Sequence, residues 1–317
     1  MIPQVTAGFG YPDLVCDEGS NPSATLHGQS LADGGHPGHS MITLSGIVEL
    51  MLSRVLSRLS LVRVTVGYSA MLIVVATTLL ILGPRVEGAV VSQMSTNVHN
   101  LACGHFGTLV GSVFVTSSGF MYVWLPGLIC LLALAELFWR GGRLILAFGL
   151  GHVGATLIVA AGLAAAIRFG WLPVSVARAS DVGISYGAVA VLGALTVAIP
   201  ARWRPGWIGG WLAVAVLAVF AGGDFTNAGH LVALIIGMSL SVRFRVVAWW
   251  TPVRCVLLTI GAAFGYLVLA NELSLVIAPI AGPLGALIGH GAAQHWRSRR
   301  VRPSPGLASV AFASHLN

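Results

Sequence analysis

Long, continuous apolar runs separated by short polar segments dominate this sequence, and they restrict its fold more than any other feature. Within a bilayer every backbone amide needs an internal partner, which leaves only helices or closed barrels. The runs do not alternate between apolar and polar residues, so they predict helices rather than strands. Only 9% of the residues are charged, against about a quarter in soluble domains. We therefore predict an all-α, polytopic membrane protein with about eight spans, at 64–82, 121–138, 145–166, 183–200, 207–222, 228–242, 253–270 and 274–291.

The chain divides into five predicted parts. The first forty residues are rich in Gly, Ser, Pro, Asp and His, a composition typical of disorder. Apolar residues at helical spacing, opposite arginines and serines, then predict an interfacial amphipathic helix. The predicted parts are a disordered tail (1–40), this amphipathic helix (41–63), a six-helix core (64–244), an added two-helix hairpin (245–296) and a basic tail (297–317).

Residues 88–118 do not fit a simple span or an aqueous loop. They are too apolar for an aqueous loop. A simple span does not fit either, because glycines and polar residues interrupt the run: Asn97, His99, Asn100 and His105. A segment that enters the membrane and returns, sheltered by protein, satisfies both observations. We predict such an embedded loop here.

Arginine placement predicts the orientation. All 17 basic residues are arginines, and with the spans above only Arg85, Arg168 and Arg178 fall on one side. The positive-inside rule makes the other side, with both termini, cytoplasmic. The arginines are dispersed between apolar runs, so they do not indicate a nucleic acid partner. We expect an integral protein of a bacterial cell membrane, with the lipid bilayer as its surroundings.

Polar side chains at membrane depth are costly and are therefore candidates for function. Ser185 opens the fourth predicted span and His230 opens the sixth. A serine in such a helix commonly bonds a carbonyl one turn back, and a histidine commonly joins two helices. Alternatively, the two form a dyad in which the imidazole takes the hydroxyl proton during attack on a carbonyl. Both predicted helices run inward from the outer face, which places the two residues at one depth.

Small residues accompany both side chains. Gly183 and Gly187 form a GxxxG face on one helix, and Gly229, Ala233 and Gly237 form a small-residue face on the other. Such faces allow two backbones to approach closely. We expect the two helices to pack together through them.

At these residues the chain resembles the rhomboid family of intramembrane serine proteases. Gly183 and Ser185 match a Gly-x-Ser-Gly motif in that family's fourth helix, with Gly193 further along, and Gly229, His230 and Gly237 match the motif of its sixth helix. Glu136 and the glycines that follow resemble the end of its second helix, and the loop at 88–118 resembles its embedded first loop. The resemblance covers roughly residues 64–244. It implies a six-helix core, a Ser185 nucleophile and a His230 base.

Two positions depart from the family pattern. Tyr186 replaces the second motif glycine, and Phe120 and Trp124 stand where the family carries a His-x-x-x-Asn motif that supplies oxyanion donors. Asn100, His99 and His152 are the candidates to replace those donors.

Three functions remain open at this stage. The first is a rhomboid-like serine protease that cuts transmembrane proteins near the extracytoplasmic face. The second is an inactive rhomboid-like protein that binds transmembrane clients, and the third is a transporter or channel. No metal or redox spacing links the four cysteines, and we expect no metal and no cofactor.

Overall fold

The computed structural model describes residues 59–301 apart from 117, 180–183, 245, 247–248 and 271, together with Glu49, Ser53 and Ser57. These residues form eleven α-helices, three short 3-10 helices and no strand, which confirms the predicted all-α fold. The predicted tail at 1–40, most of the amphipathic helix at 41–63 and most of the basic tail at 297–317 lie outside the described residues.

The helices are named here in chain order. They are α1 (Arg63–Leu82), α2 (Pro84–Met94), α3 (Val98–Ala102), α4 (Thr108–Gly111), α5 (Ser118–Trp139), α6 (Gly141–Arg168), α7 (Ile184–Ala194), α8 (Arg204–Gly222), α9 (Phe225–Ser241), α10 (Pro252–Leu269) and α11 (Glu272–Val301). The 3-10 helices are Ser60–Val62, Val174–Arg178 and Leu195–Val197.

Six of the described helices are long and apolar enough to cross a membrane by length and composition: α1, α5, α6, α8, α10 and α11. The two other predicted spans, α7 and α9, are apolar helices of fewer than 18 residues. These two short helices carry Ser185 and His230.

Helix α7 lies at the centre of the bundle. Every residue from Tyr186 to Val197 is buried, and α5, α6, α9 and α10 all pack against the helix. Gly187 lies under the ring of Phe148, and Gly151 of α6 lies against Ala190. A helix that is apolar on all sides has no polar face to lose when it is buried, so its sequence permits this central place.

Helices α7 and α9 approach so closely that their backbones touch. A Cβ added at Gly237 would collide with the carbonyl of Ala190, and one added at Gly193 would lie 2.5 Å from the carbonyl oxygen of Leu234. Tyr186 packs on Gly229 near the start of both helices, and Gly193 lies against Met238 near the end of both, so the two helices are parallel. Contact between small residues is the usual way in which helices associate where lipid removes the hydrophobic driving force.

Glu136 joins the start of α1 to the end of α5. Its buried carboxylate accepts hydrogen bonds from the backbone N–H groups of Val64 (3.0 Å) and Thr65 (2.8 Å) and from the Thr65 hydroxyl (2.8 Å). The first N–H groups of a helix have no partner within it, and the helix dipole favours a negative charge there. This intramembrane carboxylate therefore has a structural contact that accounts for it.

The segment between α2 and α5 folds back onto α1 and α6. The Thr96 hydroxyl donates to the Thr108 carbonyl and to Ser112 Oγ, both at 3.0 Å. The Tyr68 hydroxyl of α1 donates to the Val113 carbonyl at 2.7 Å. These bonds pair two backbone carbonyls of the segment, those of Thr108 and Val113, with side-chain donors of the protein. The membrane-embedded loop stays a prediction.

The two added helices, α10 and α11, follow one another in the chain but pack on different partners. α10 lies antiparallel on α5 and also contacts α7, whereas α11 lies antiparallel along α8. Glycines line the second contact, where Gly209 meets Gly285 and Gly289 meets the Pro205 carbonyl. The predicted hairpin is therefore splayed across the core rather than closed on itself.

Gly237→Ala tests the contact between α7 and α9. The added methyl would collide with Ala190, and overpacking of this kind costs about 1–3 kcal/mol, more than the roughly 0.5–1 kcal/mol by which alanine favours a helix. We expect a lower melting temperature for the detergent-purified protein. Gly162→Ala in α6 is the control, because a Cβ there meets no atom within 4 Å. An unchanged melting temperature for Gly237→Ala would contradict the close contact.

Candidate active site

Ser185 lies in the first turn of the central helix and is half-buried. The helical stretch Ile184–Val197 is roughly 21–23 Å long at the usual rise per residue, shorter than the roughly 30 Å of a bilayer core. Its other end precedes Arg202 and Arg204 at the arginine-rich ends of the bundle. Ser185 lies at the opposite end of this short helix from Arg202 and Arg204.

His230 lies in the second turn of α9, which begins at an Asp224 cap that accepts a bond from the Thr226 N–H. The side chain is 5% exposed. Neither ring nitrogen has a hydrogen-bond partner among the residues that the structure describes. Leaving buried polar atoms unpaired costs about 1–3 kcal/mol, and such an atom in a native fold calls for an explanation.

Ser185 and His230 line the same cavity, which has a volume of about 350 Å³. Its walls come from α5, α7, α9, α10 and the end of the folded-back segment. The other lining residues are Thr116, Trp124, Ile184, Phe264, Leu267 and Val268. The volume lies within the usual range of about 300–1,000 Å³ for ligand sites.

No hydrogen bond joins the two side chains in this structure, since the His230 nitrogens have no described partner. The residue next to the serine fills the space between their helices. The buried ring of Tyr186 packs on Gly229 and stands edge-on to the imidazole, with 5.3 Å between ring centroids. Tyr186 replaces a glycine of the rhomboid motif, and Gly229 provides the room for its ring.

The three predicted oxyanion donors lie elsewhere. Asn100 donates its side-chain amide to the carbonyls of Ser95 (2.8 Å) and Ser92 (3.3 Å). His99 is exposed in α3. Buried His152 has Nε2 2.9 Å from the Leu109 carbonyl and 3.2 Å from Ser112 Oγ. None of the three lines the cavity of Ser185 and His230, and two of them hold the folded-back segment.

The motif glycines have a packing role where they are described. Gly193 and Gly237 form the backbone contact between α7 and α9, and Gly183 lies outside the described residues.

Sequence reasoning missed the α10 wall of the cavity, formed by Phe264, Leu267 and Val268. Gly261 and Gly265 lie on either side of Phe264 in the sequence. This pattern of small residues could have indicated a close helix contact. Thr116 and Trp124 are two further lining residues with hydrogen-bond donors. Among the described residues, no group of three or more His, Cys, Asp or Glu side chains could hold a metal ion.

Comparison with known proteins agrees with this architecture. The family model described as "Rhomboid-like protein" matches residues 61–246, more than half of the chain. No curated protein and no solved structure gave a significant match. The chain is an integral membrane protein that belongs to the rhomboid-like protein family. The matched region ends before α10, so both α10 and α11 lie outside it.

His152→Leu tests the structural role of the buried histidine. The change removes the histidine partner of the Leu109 carbonyl and one of the two partners of the Ser112 hydroxyl, which keeps its bond with Thr96. A buried group left unpaired costs about 1–3 kcal/mol. We expect a lower melting temperature and faster proteolysis between residues 95 and 116. His105→Leu is the control, because that histidine side chain is exposed in the same segment. Equal behaviour of the two variants would contradict this role.

Proposed function

We propose that this protein is a rhomboid-like intramembrane serine protease that cuts transmembrane proteins, with Ser185 as nucleophile and His230 as general base. One observation carries the proposal: a buried imidazole without a described partner faces the same cavity as a serine hydroxyl. Nothing in the described part of the chain competes for either nitrogen. A base that must accept a proton needs a nitrogen available in this way.

The chemistry would take two steps. Ser185 Oγ attacks the scissile carbonyl while a His230 nitrogen takes the hydroxyl proton, and the tetrahedral intermediate collapses as that proton passes to the leaving amine. Water then attacks the resulting ester, again with His230 as base, and releases the carboxylate product and the serine. The first transfer requires Ser185 and His230 to come within about 2.6–3.2 Å, and such contacts are often longer before substrate binds.

The oxyanion of these intermediates needs donors at the cavity. Asn100 and His152 already bond backbone carbonyls outside it. The Thr116 hydroxyl and the Trp124 indole N–H are the remaining side-chain donors besides Ser185 and His230 among the residues that line the cavity. These two residues are the candidates to supply that stabilisation.

A fluorophosphonate probe tests the nucleophile, because it reacts with an activated serine. We expect native membranes to label, Ser185→Ala to lose the label, and His230→Ala to react about 10²-fold or more slowly, as removal of a general base does. Ser241→Ala and His295→Ala are matched controls. The Ser241 hydroxyl donates to the Met238 carbonyl and lies outside the cavity, and His295 is exposed on α11.

The controls should label like the native protein. Equal labelling of native, Ser185→Ala and His230→Ala proteins would overturn the proposed protease. Cleavage of a single-pass reporter protein by the native form, and not by Ser185→Ala, would support it independently.

A second candidate is a rhomboid-like protein that binds transmembrane clients without cutting them. The missing hydrogen bond between Ser185 and His230 favours this function, as does the engagement of Asn100 and His152 elsewhere. It predicts that membrane proteins crosslinked to the native chain are recovered equally with Ser185→Ala, and that no cleavage product appears. A product found only with the native chain would exclude it.

A further inference from the structure

A second cavity, of about 790 Å³, lies between α8 and α11. It reaches Ile199, beyond the end of α7 that is opposite to Ser185, and it shares no lining residue with the Ser185 cavity. Most of its walls come from the start of α8 and the second half of α11. The family-matched residues 61–246 end before α11, so this cavity depends on a helix outside the match.

The two ends of this cavity differ in polarity. At one end α11 contributes the apolar side chains of Pro283, Ala286 and Leu287. At the other end the same helix contributes His290 and Gln294. In ligand sites the apolar surface supplies contact area, and a few polar groups fix the orientation of the ligand. A cavity divided in this way fits an amphipathic ligand.

Two exposed arginines flank the polar end. Arg297 lies on the same face of α11 as His290 and Gln294, because residues three and four positions apart in a helix lie over one another. The Arg202 guanidinium lies 5.7 Å from the Trp203 ring centroid, and the centroid of the His290 ring lies 5.9 Å from the same ring. The polar end is therefore basic, and guanidinium groups bind phosphate oxygens well.

An apolar groove continues from this cavity along the same two helices. A smaller cavity of about 290 Å³ shares Gly206, Trp207 and Pro283 with the first one. The apolar part of the combined groove follows α11 from Ala278 to Leu287, which is about 14 Å at the usual rise per residue. One leaflet contributes roughly 15 Å of hydrocarbon, half of the bilayer core. The groove therefore matches the depth that an acyl chain reaches in one leaflet.

Tryptophans lie where the polar and apolar parts meet. Trp203 is 57% exposed, and tryptophan is enriched at the level of the lipid headgroups. Trp207 lines both cavities, and its indole nitrogen is buried without a hydrogen-bond partner among the described residues. A buried donor without an acceptor is costly. A phosphate or ester oxygen of a lipid in the groove would accept this bond.

We propose that the cavity between α8 and α11 binds one anionic glycerophospholipid. Its phosphate lies between Arg202 and Arg297, beside His290 and Gln294, and an acyl chain follows the groove past Trp207. Basic pockets between transmembrane helices are typical sites for anionic headgroups. The bound lipid bridges α8 and α11 and so holds α11 on the core. The site uses no residue of the Ser185 cavity, so it stands whether or not the chain cuts its clients.

Native mass spectrometry of the detergent-purified full chain tests the headgroup end. The protein is titrated with phosphatidylglycerol, phosphatidylcholine and the soluble headgroup glycerol 3-phosphate, and the Kd of the first bound molecule is measured. Arg202→Gln with Arg297→Gln removes the two flanking charges. Arg63→Gln with Arg243→Gln is the matched control, because both arginines are exposed, neither lines a described cavity, and the loss of charge is the same.

A second pair of variants tests the groove. Leu287→Trp places a larger side chain at the cavity, where Leu287 is 70% exposed and has room to be enlarged without disturbing the core. Leu284→Trp is its control, because Leu284 is 56% exposed on the same helix and lines neither cavity. Both variants should keep the melting temperature of the native lipid-free protein.

We expect one phosphatidylglycerol to bind about tenfold or more tightly than phosphatidylcholine or glycerol 3-phosphate, since charge and acyl chain both contribute. The Arg202 and Arg297 double variant and Leu287→Trp should each weaken phosphatidylglycerol binding about tenfold or more, and the two controls should stay within about twofold of the native protein.

Three results would overturn the lipid site. Equal weakening in the two arginine double variants would indicate a general charge effect, and equal affinity for phosphatidylcholine would remove the anionic preference. Glycerol 3-phosphate that binds as tightly as the whole lipid would indicate a site for free phosphate compounds instead.

Discussion

The rest of the structure depends on the contact between α7 and α9, in which glycine lets one helix backbone rest on another. Gly237 lies on the Ala190 carbonyl and Gly193 lies on the Leu234 carbonyl. Without a hydrophobic driving force between helices, packing of this closeness is what holds membrane helices together. Helix α7 also packs against Phe148 of α6, and its Leu192 side chain packs against Gly265 of α10. Any widening of the α7–α9 contact would therefore disturb the whole bundle. The same contact sets Ser185 and His230 on adjacent, parallel helices.

The start of α7 carries the polar interior of the core. Ser185 in its first turn and His230 of α9 line one cavity of about 350 Å³ there. Three other polar residues that the sequence brings into question, Glu136, His152 and Asn100, have partners that account for them. Glu136 holds the first turn of α1, and His152 and Asn100 hold the segment before α5. His230 differs from them, since its ring nitrogens have no partner in the described part of the chain.

The two helices outside the family-matched region cover parts of that region. α11 lies along α8 through the glycines at 209 and 285, and α10 lies on α5 and α7 beside the cavity. The seat of Phe264 against Gly127 and Trp124 explains why these two helices separate instead of pairing with each other. Each finds a glycine-lined groove on the core, and close packing in such a groove stabilises a helix more than a loose contact with its neighbour does.

By itself, the sequence determined the elements of this protein: the apolar runs require helices, the arginines lie between them, and the small residues beside Ser185 and His230 predict a close helix pair. These are local properties, readable from residue type and spacing. Only the tertiary structure decided which distant surfaces meet. It placed Phe264 in the gap at Gly127, assigned His152 and Asn100 to carbonyls of the folded-back segment, and put the Tyr186 ring against Gly229 and His230. The physical reason is that shape complementarity and hydrogen-bond pairing between helices depend on three-dimensional positions, whereas a sequence pattern records only the face on which each residue lies.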